Sequence, residues 1–110
     1  MNIPRLNETE ILILSAITGR ELYGLEIVEE VKRLTRGKRV ISLGGLYTTL
    51  HRMEQKKLAA GRWGEATADR QGARRRYYKV TGLGERALAE ARTVLRNALG
   101  FAASLVGGSA

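Results

Sequence analysis

Apolar residues recur at helical spacing in four stretches of the chain, separated by short polar or glycine-containing segments. The first stretch, from Asn7 to Gly19, is apolar on most sides and predicts a helix in the centre of the core. Asn7 is its predicted N-cap, and Glu10 completes a capping box. The second predicted helix begins near Tyr23-Gly24 and ends at Gly37. Its apolar stripe consists of Ile27, Val28, Val31 and Leu34.

The third stretch, Ser42 to Leu58, is two-sided when drawn as a helix with Ser42 as N-cap. Its small and basic face can enter a DNA major groove, although an ordinary amphipathic surface helix has the same pattern. With the preceding helix it forms a helix-turn-helix pattern. The apolar face consists of Leu43, Leu46, Leu50, Met53 and Lys57, with Tyr47 and Glu54 at its edge. The other face consists of Gly44, Gly45, Thr48, Arg52 and Gln55, flanked by His51 and Lys56.

Two segments with strand character follow this helix. Leu58 to Gly64 is short and ends in glycine, and Arg76 to Thr81 is rich in β-branched and aromatic residues. The intervening loop, Glu65 to Arg75, has no apolar side chain larger than alanine. We therefore predict a β-hairpin wing, with Tyr78 and Val80 packed inward. The predicted fold class is mainly α with a small hairpin (α+β), a winged helix-turn-helix followed by a long C-terminal helix.

That last helix is predicted from Thr81, its N-cap, to about Val106, before Gly107-Gly108. Its apolar positions have coiled-coil spacing, which favours a homodimer, although the same face can pack on the chain's own first helix. Leu99 lies off this seam and adds apolar surface. The predicted domains are 1–81 for DNA binding and 82–110 for dimerisation. The seam consists of Leu88, Ala91, Leu95, Ala98, Ala102 and Leu105.

The charge of this 110-residue chain is unevenly distributed. Its formal net charge is +8, yet the segment from Lys32 to Lys79 alone contains fourteen basic and three acidic residues. A concentrated positive block of this kind is typical of proteins that bind polyanions. A membrane surface is a weaker interpretation, because no helix pairs a broad basic face with bulky aromatic residues.

The composition argues against most enzymatic and metal chemistry. The chain has no cysteine and a single histidine, His51, so neither a disulfide framework nor a thiolate zinc site can form. It contains no glycine-rich phosphate loop and no paired carboxylates in an apolar context. We therefore expect no enzyme activity, no cofactor and no metal. No apolar run is long enough to span a bilayer and no signal peptide is evident, so we expect a soluble cytoplasmic protein.

The chain resembles the PadR family of transcriptional regulators, in its short form with a single C-terminal helix. The resemblance implies a winged-helix fold, a homodimer held by the C-terminal helices, and binding to double-stranded operator DNA, commonly as a repressor. It also implies that Ser42 to Arg52 supply groove-facing residues and that wing arginines grip the backbone. The motifs that carry it are Tyr23-Gly24 with Ile27, Ser42, Gly45-Leu46-Tyr47, Leu50, Arg52, Glu54, Leu58, Arg75-Arg76-Tyr77-Tyr78, Thr81 and Gly84.

Individual roles follow from residue chemistry. Arg52 can pair with guanine and the Thr48 methyl can meet thymine, which makes them the candidates for base contact. Gly44 and Gly45 allow close approach of the backbone, and the amides near Ser42 can bind a phosphate. Tyr47 either fills the edge of the core or reaches a phosphate, and His51 is either a surface residue or a contact. The predicted phosphate-binding residues are Lys38 or Arg39 and the wing triplet Arg74, Arg75 and Arg76, for which a solvated charge run is the alternative.

Two questions stay open at this stage. A winged-helix module can also bind RNA or a protein partner, although the wing has no obvious platform for stacking bases. An effector is equally undefined. Some short members of the family bind flat aromatic compounds through a tryptophan on the C-terminal helix, where this chain has only Phe101. Its single tryptophan, Trp63, belongs to the wing, so a small-molecule effector is possible but its site and class are not predicted.

Overall fold

The computed structural model describes residues 2–66 and 72–106, and within them four helices pack with a small three-stranded antiparallel sheet. The centre of the predicted wing loop (67–71) and the predicted helix end at Gly107-Gly108 lie outside the described residues. The mainly α winged-helix fold class is confirmed. The elements are α1 (Glu8–Ile17), β1 (Leu22–Tyr23), α2 (Gly24–Leu34), α3 (Leu43–Gln55), β2 (Ala59–Trp63), β3 (Arg76–Val80) and α4 (Gly82–Leu105).

The sheet contains the predicted hairpin and one strand that was not predicted. β2 and β3 pair antiparallel, with Trp63 opposite Arg76 and Ala59 opposite Val80. β1 adds to the other edge of β3, which gives the order β1-β3-β2. A two-residue strand has too few positions to show an alternating pattern, so only the pairing reveals it. As predicted, Tyr78 is buried and Val80 packs against the core.

Helix α1 forms the centre of the core, as its apolar pattern predicts. Ile13, Leu14 and Ile17 are fully buried. The capping box is present: Asn7 Oδ1 accepts from the Glu10 amide at 2.8 Å, and Glu10 Oε1 accepts from the Asn7 amide at 2.9 Å. Glu10 itself is only 2 % exposed. The buried carboxylate has a partner for each oxygen: the Asn7 amide donates to Oε1, and Lys56 Nζ lies 3.4 Å from Oε2.

The two-sided character of α3 is confirmed, with two corrections. Ser42 caps the helix by accepting from the Gly45 amide at 3.1 Å, and the helix ends at Gln55, short of Leu58. Leu46, Leu50 and Met53 are fully buried. The placement of Leu43 in the core is wrong, because this side chain is 41 % exposed. It lies in the first turn, beyond the edge of the core, and the same end effect exposes Leu34 at the end of α2.

The start of α4 is locked onto the end of α3 by the N-cap residue. The Thr81 hydroxyl accepts from the Gly84 amide at 3.0 Å and donates to the Lys57 carbonyl at 2.6 Å. The Thr81 amide donates to the Leu58 carbonyl at 3.1 Å. Gly84 and Ala87 are buried, so the first turns of α4 belong to the same core as α1.

Acid should destabilise the fold partly through Glu30, whose carboxylate binds both Arg33, at 2.7 Å, and Arg20. These hydrogen bonds lower the pKa of Glu30 from 4.5 to about 2. A depressed carboxyl pKa contributes stability above the unfolded pKa, and this contribution is lost as the pH falls through the folded value. Between about pH 5 and pH 2, Glu30→Gln should therefore lose less stability than the wild type. Urea midpoints near neutral pH and at about pH 3 test this; an equal loss in both proteins would contradict it.

Candidate nucleic-acid interface

The outward face of α3 exposes the two predicted base-contacting residues. The Thr48 hydroxyl donates to the Gly44 carbonyl at 3.0 Å, which holds the side chain against the helix, and the residue is exposed on the surface. Arg52 is exposed, and its side chain has no hydrogen bond or ion pair within residues 2–66 and 72–106. A β-carbon added to Gly44 would meet no atom within 4 Å, so open space lies in front of the helix backbone.

The N-terminus of α3 faces the same open side. The Ser42 hydroxyl accepts a hydrogen bond from the Gly45 amide. The amides of Leu43 and Gly44 lie in the first turn of the helix, where amides have no carbonyl partner within the helix. Free first-turn amides and the positive end of the helix dipole favour an anion. The geometry can therefore hold a phosphate here, as the sequence predicts.

Tyr47 lies at the junction of α2 and α3 and is 47 % exposed. Its ring packs so closely over Gly24 that a β-carbon there would lie 2.8 Å from the ring carbon that bears the hydroxyl. Gly24 is buried at the start of α2. The hydroxyl end of the tyrosine therefore contacts the start of α2, while about half of the side chain stays exposed.

The three wing arginines have three different environments. Arg76 turns toward α3, where its Nη2 donates to Glu54 Oε2 at 2.9 Å, and this bond raises its pKa. The guanidinium of Arg75 lies 4.4 Å from the centre of the Tyr23 ring. Arg74 is exposed and has no ion pair among the described residues. Of the triplet, Arg74 is the most available for a phosphate, while Arg76 connects the base of the wing to α3.

A second set of contacts stiffens the wing, and sequence reasoning missed it. Arg62 donates to Glu21 at 2.8 Å, and its guanidinium lies 4.9 Å from the centre of the Tyr77 ring. Tyr77 also meets Tyr23 edge to face, with ring centres 5.7 Å apart. These residues face each other because of the strand register, which places Arg62 and Tyr23 opposite Tyr77. Only the alternation of side chains along β3 signals this in the sequence.

The N-terminal part of α3 and the wing lie next to each other. Leu43 and Tyr47 of α3 line one side of a cleft of about 370 Å³, and Trp63 with Arg74 and Arg75 of the wing lines the other. Since both elements border the same cleft, a single ligand surface can contact both. The predicted groove-facing helix and the predicted backbone clamp therefore come together in space.

The segment between α2 and α3 holds the other predicted phosphate ligands. Arg39 Nε donates to Glu8 Oε1 at 2.6 Å, and this contact lowers the pKa of Glu8. Lys38 is exposed and, in the described part of the chain, has no ion pair. His51 is also exposed. Lys38 is thus more available than Arg39 for an added anion, because Arg39 already binds a carboxylate.

The predicted dimerisation residues divide into two groups along α4. Leu88 and Ala91 are half-buried against their own chain, as the intramolecular alternative for this face predicts. Beyond them the apolar side chains are exposed. A groove of about 690 Å³ runs beside Val94 and Leu95, between α4 and the segment that precedes α1. The exposed members of the predicted interface are Leu95, Ala98, Leu99, Ala102 and Leu105.

Neither a metal site nor a membrane span is found among the described residues. Within residues 2–66 and 72–106, no three His, Cys, Asp or Glu side chains cluster in a way that could hold a metal ion. In the same part of the chain, no helix is both long enough and apolar enough to pass through a bilayer.

Comparison with known proteins places the chain in a family. Residues 13–90 match the sequence model of the transcriptional regulator PadR-like family. An uncharacterized protein of Lysinibacillus sphaericus is 32 % identical over 79 residues, which cover 72 % of this chain and 70 % of that protein.

Solved structures give the same result. A PadR family transcription regulator from Clostridium difficile superposes with a TM-score of 0.76 at 26 % identity, covering 91 % of this chain and 99 % of that one. A PadR-like transcriptional regulator from Bacillus cereus gives 0.73 at 27 % identity, covering 92 % and 93 %. Bacillus subtilis PadR in complex with operator DNA shares the fold, with a TM-score of 0.68 at 17 % identity, over 76 % of this chain and 46 % of that one. The chain therefore belongs to the PadR-like family of transcriptional regulators.

Proposed function

We propose that this protein is a homodimeric, sequence-specific DNA-binding regulator that represses transcription from double-stranded operators until a ligand releases it. One observation carries the proposal. Helix α3 exposes Thr48 and Arg52, and the first turns of the same helix border a cleft that the wing arginines also line, all within a strongly basic part of the sequence. The operator complex of Bacillus subtilis PadR supports the choice of DNA as the partner.

In the proposed complex, α3 enters the major groove. Arg52 and Thr48 read base edges, while Gly44 lets the helix backbone approach the duplex. The free amides at the start of α3, together with Arg74 and Lys38, bind phosphates and fix the register without reading sequence. Arg76 holds the wing at a set angle to α3 through Glu54. The mechanism requires neither a cofactor nor a metal.

The dimer supplies the second half of the site. In our proposal the exposed apolar positions of α4 pair with those of a second copy, which buries side chains such as Leu99 and Leu105 that have no cover in the monomer. Two-fold symmetry then presents two copies of α3 about 34 Å apart, one turn of DNA, to a palindromic operator. A ligand that changes this separation or covers the DNA-binding surface would release the promoter.

Arg52→Ala should relax base preference at one operator position and weaken specific binding by about 1–3 kcal/mol. Arg74→Ala is the matched control, since it also removes one exposed arginine from the same surface. It should weaken binding to all sequences about equally and lower the salt dependence by roughly one unit. Competition binding on operator and random duplexes at two salt concentrations measures both. If Arg52→Ala leaves both duplexes bound as before, the assignment of α3 as the reading helix is wrong.

A titration of the wild type separates DNA from other polymers. Duplex DNA, duplex RNA and single strands of the same sequence should be compared at equal salt, because the charge contribution alone attracts all of them. We expect the operator duplex to bind tightest at high salt, where base contacts rather than counterion release decide the order. Equal or tighter binding of RNA would overturn the DNA proposal.

A further inference from the structure

The cleft between α3 and the wing has two walls of different chemistry, and phosphate binding alone explains only one of them. The apolar wall consists of Leu25, Leu43 and Trp63, whose side chains are 53 %, 41 % and 58 % exposed. Single exposed apolar residues are common on protein surfaces, but a contiguous group beside a concave site marks a place where a ligand or partner binds. The apolar wall therefore indicates that the occupant of the cleft has an apolar part.

The other wall is cationic and lacks a matching carboxylate. Arg74 and Arg75 line it, and neither forms an ion pair within the described residues. The Arg75 guanidinium lies 4.4 Å from the centre of the Tyr23 ring, and its Nε atom is buried without a hydrogen-bond partner in the described structure. Arg76, in contrast, is already bound to Glu54. Two uncompensated arginines beside an apolar wall indicate an occupant that is anionic at one end.

A DNA strand has this combination in every repeat, because each charged phosphate is joined to a deoxyribose whose 2′ carbon carries only hydrogen. We propose that the cleft holds one sugar-phosphate unit of the bound DNA strand and that its apolar wall selects deoxyribose over ribose. The phosphate binds the wing arginines, Arg74 and Arg75, and the 2′ edge of the sugar packs on Trp63. This inference rests on the proposed function and adds to it a part of the surface that distinguishes one sugar from the other.

The selection follows from the chemistry of the apolar wall. Leu25 and Leu43 have no polar side-chain atom, and Trp63 has one donor and no acceptor. The hydroxyl end of Tyr47, which also lines the cleft, contacts the start of α2. A ribose in this place would press its 2′-hydroxyl against apolar side chains, so that the hydroxyl loses water without gaining a full set of partners. A site for phosphate alone would accept both sugars equally, since the two backbones have the same charge.

Single ribonucleotides within a DNA duplex test this, because a whole RNA duplex is already disfavoured by its deep, narrow major groove. The duplex is one that the wild-type protein selects from random DNA, and one deoxyribose at a time is replaced by ribose. We expect binding about ten-fold weaker at positions confined to one edge of each half-site, which is the cost of burying an unpaired hydroxyl. A 2′-fluoro sugar at the same positions keeps the ribose pucker but removes the hydroxyl, and it should cost much less.

Truncation of the apolar wall should remove the discrimination. In Trp63→Ala water reaches the 2′-hydroxyl, so the ribose penalty should fall to within about two-fold, while the unmodified duplex binds several-fold more weakly. Leu25→Ser supplies a hydrogen-bond partner and should also reduce the penalty. Leu34→Ser is its matched control, since Leu34 is a similarly exposed leucine of the same helix and lies outside the cleft lining. This control should keep the full penalty.

Trp63 also reports on the contact itself, because it is the only tryptophan of the chain. Quenching of its fluorescence by acrylamide should weaken when the protein is saturated with the selected duplex, since the sugar then covers the ring. Quenching that is the same in the free protein and in the complex would show that no strand enters the cleft, and it would overturn the proposal.

Three further results would also overturn it. One is a series of ribose substitutions without a weakened position. Another is an equal loss for ribose and 2′-fluoro sugars, which would assign the effect to sugar pucker. The third is a ribose penalty that persists in both Trp63→Ala and Leu25→Ser. If Trp63→Ala does not fold, the comparison of Leu25→Ser with Leu34→Ser decides alone.

The same experiment distinguishes this inference from the proposed function. A protein that selects a duplex and binds it tightly, yet tolerates ribose at every position, retains the proposed function and loses the sugar-selecting cleft. A protein that selects no duplex contradicts the proposed function, and the inference fails with it.

Discussion

Replacing Leu95 and Leu99 by glutamate should convert the protein to a monomer and lower its affinity for a palindromic operator by about 10²–10⁴-fold. Both side chains are exposed on α4, beyond the part that packs against α1, so the fold of the protomer should persist. In a dimer, the glutamates of both copies would bring their carboxylates into an apolar interface. The free-energy cost of burying these unpaired charges would prevent the two helices from pairing. Without the dimer, binding of the second half-site is no longer intramolecular. Sedimentation and operator titration at the same protomer concentration measure the two effects.

The control for this variant is the pair Arg92→Glu and Arg96→Glu, which changes exposed charges on the same helix at positions outside the predicted interface. It should remain dimeric. Binding to a DNA duplex that carries only one half-site should be nearly the same for the wild type and the leucine variant. A leucine variant that is still dimeric would show that α4 does not form the interface.

Gly84→Ala should be the most destabilising single-methyl change at the start of α4. A β-carbon at this position would overlap the carbonyl oxygen of Leu58 and lie 2.8 Å from Val80 Cγ2. The Leu58 carbonyl is backbone and is itself held by the Thr81 amide, so it cannot move aside. We expect a loss of about 2–3 kcal/mol and a thermal midpoint roughly 10 °C lower, the upper range for overpacking. Urea and thermal unfolding measure both quantities.

Gly100→Ala provides a matched control with the opposite sign. It adds the same methyl group to the same helix, but no atom lies within 4 Å of the new carbon. Because alanine is favoured over glycine in a helix interior, it should raise stability by up to about 1 kcal/mol. If both substitutions shift the free energy of unfolding in the same direction, the contact between Gly84 and the Leu58 carbonyl is not the reason that a side chain is excluded there.

The hydrophobic pattern predicted most of the architecture, because the spacing of apolar residues indicates which side chains of each element are buried. The caps at Asn7, Ser42 and Thr81 were predictable, since capping hydrogen bonds join residues three positions apart. The predicted burial of Leu43 and Leu34 was wrong, because helical periodicity does not reveal where the core ends along a helix axis.

The candidate interface was predictable only in part. Arg52 and Thr48 follow from the outward face of one helix, which its own periodicity defines. The environments of the wing arginines do not follow from their sequence neighbours. Arg76 binds Glu54, twenty-two residues away, and Arg75 packs on Tyr23 across the sheet edge. Such contacts depend on strand register and on how the hairpin docks on α3, neither of which is encoded in local spacing.

The sequence by itself determined the winged-helix class, the exposed polar face of α3 and the concentration of positive charge, because helical period, capping and net charge are local or additive properties. The tertiary structure alone decided which arginines are already paired and which are available to a ligand. It also decided that Trp63, Tyr47 and Leu25 share one cleft with Arg75. These relations join residues from three separate elements, and only the packing of those elements brings them within contact distance.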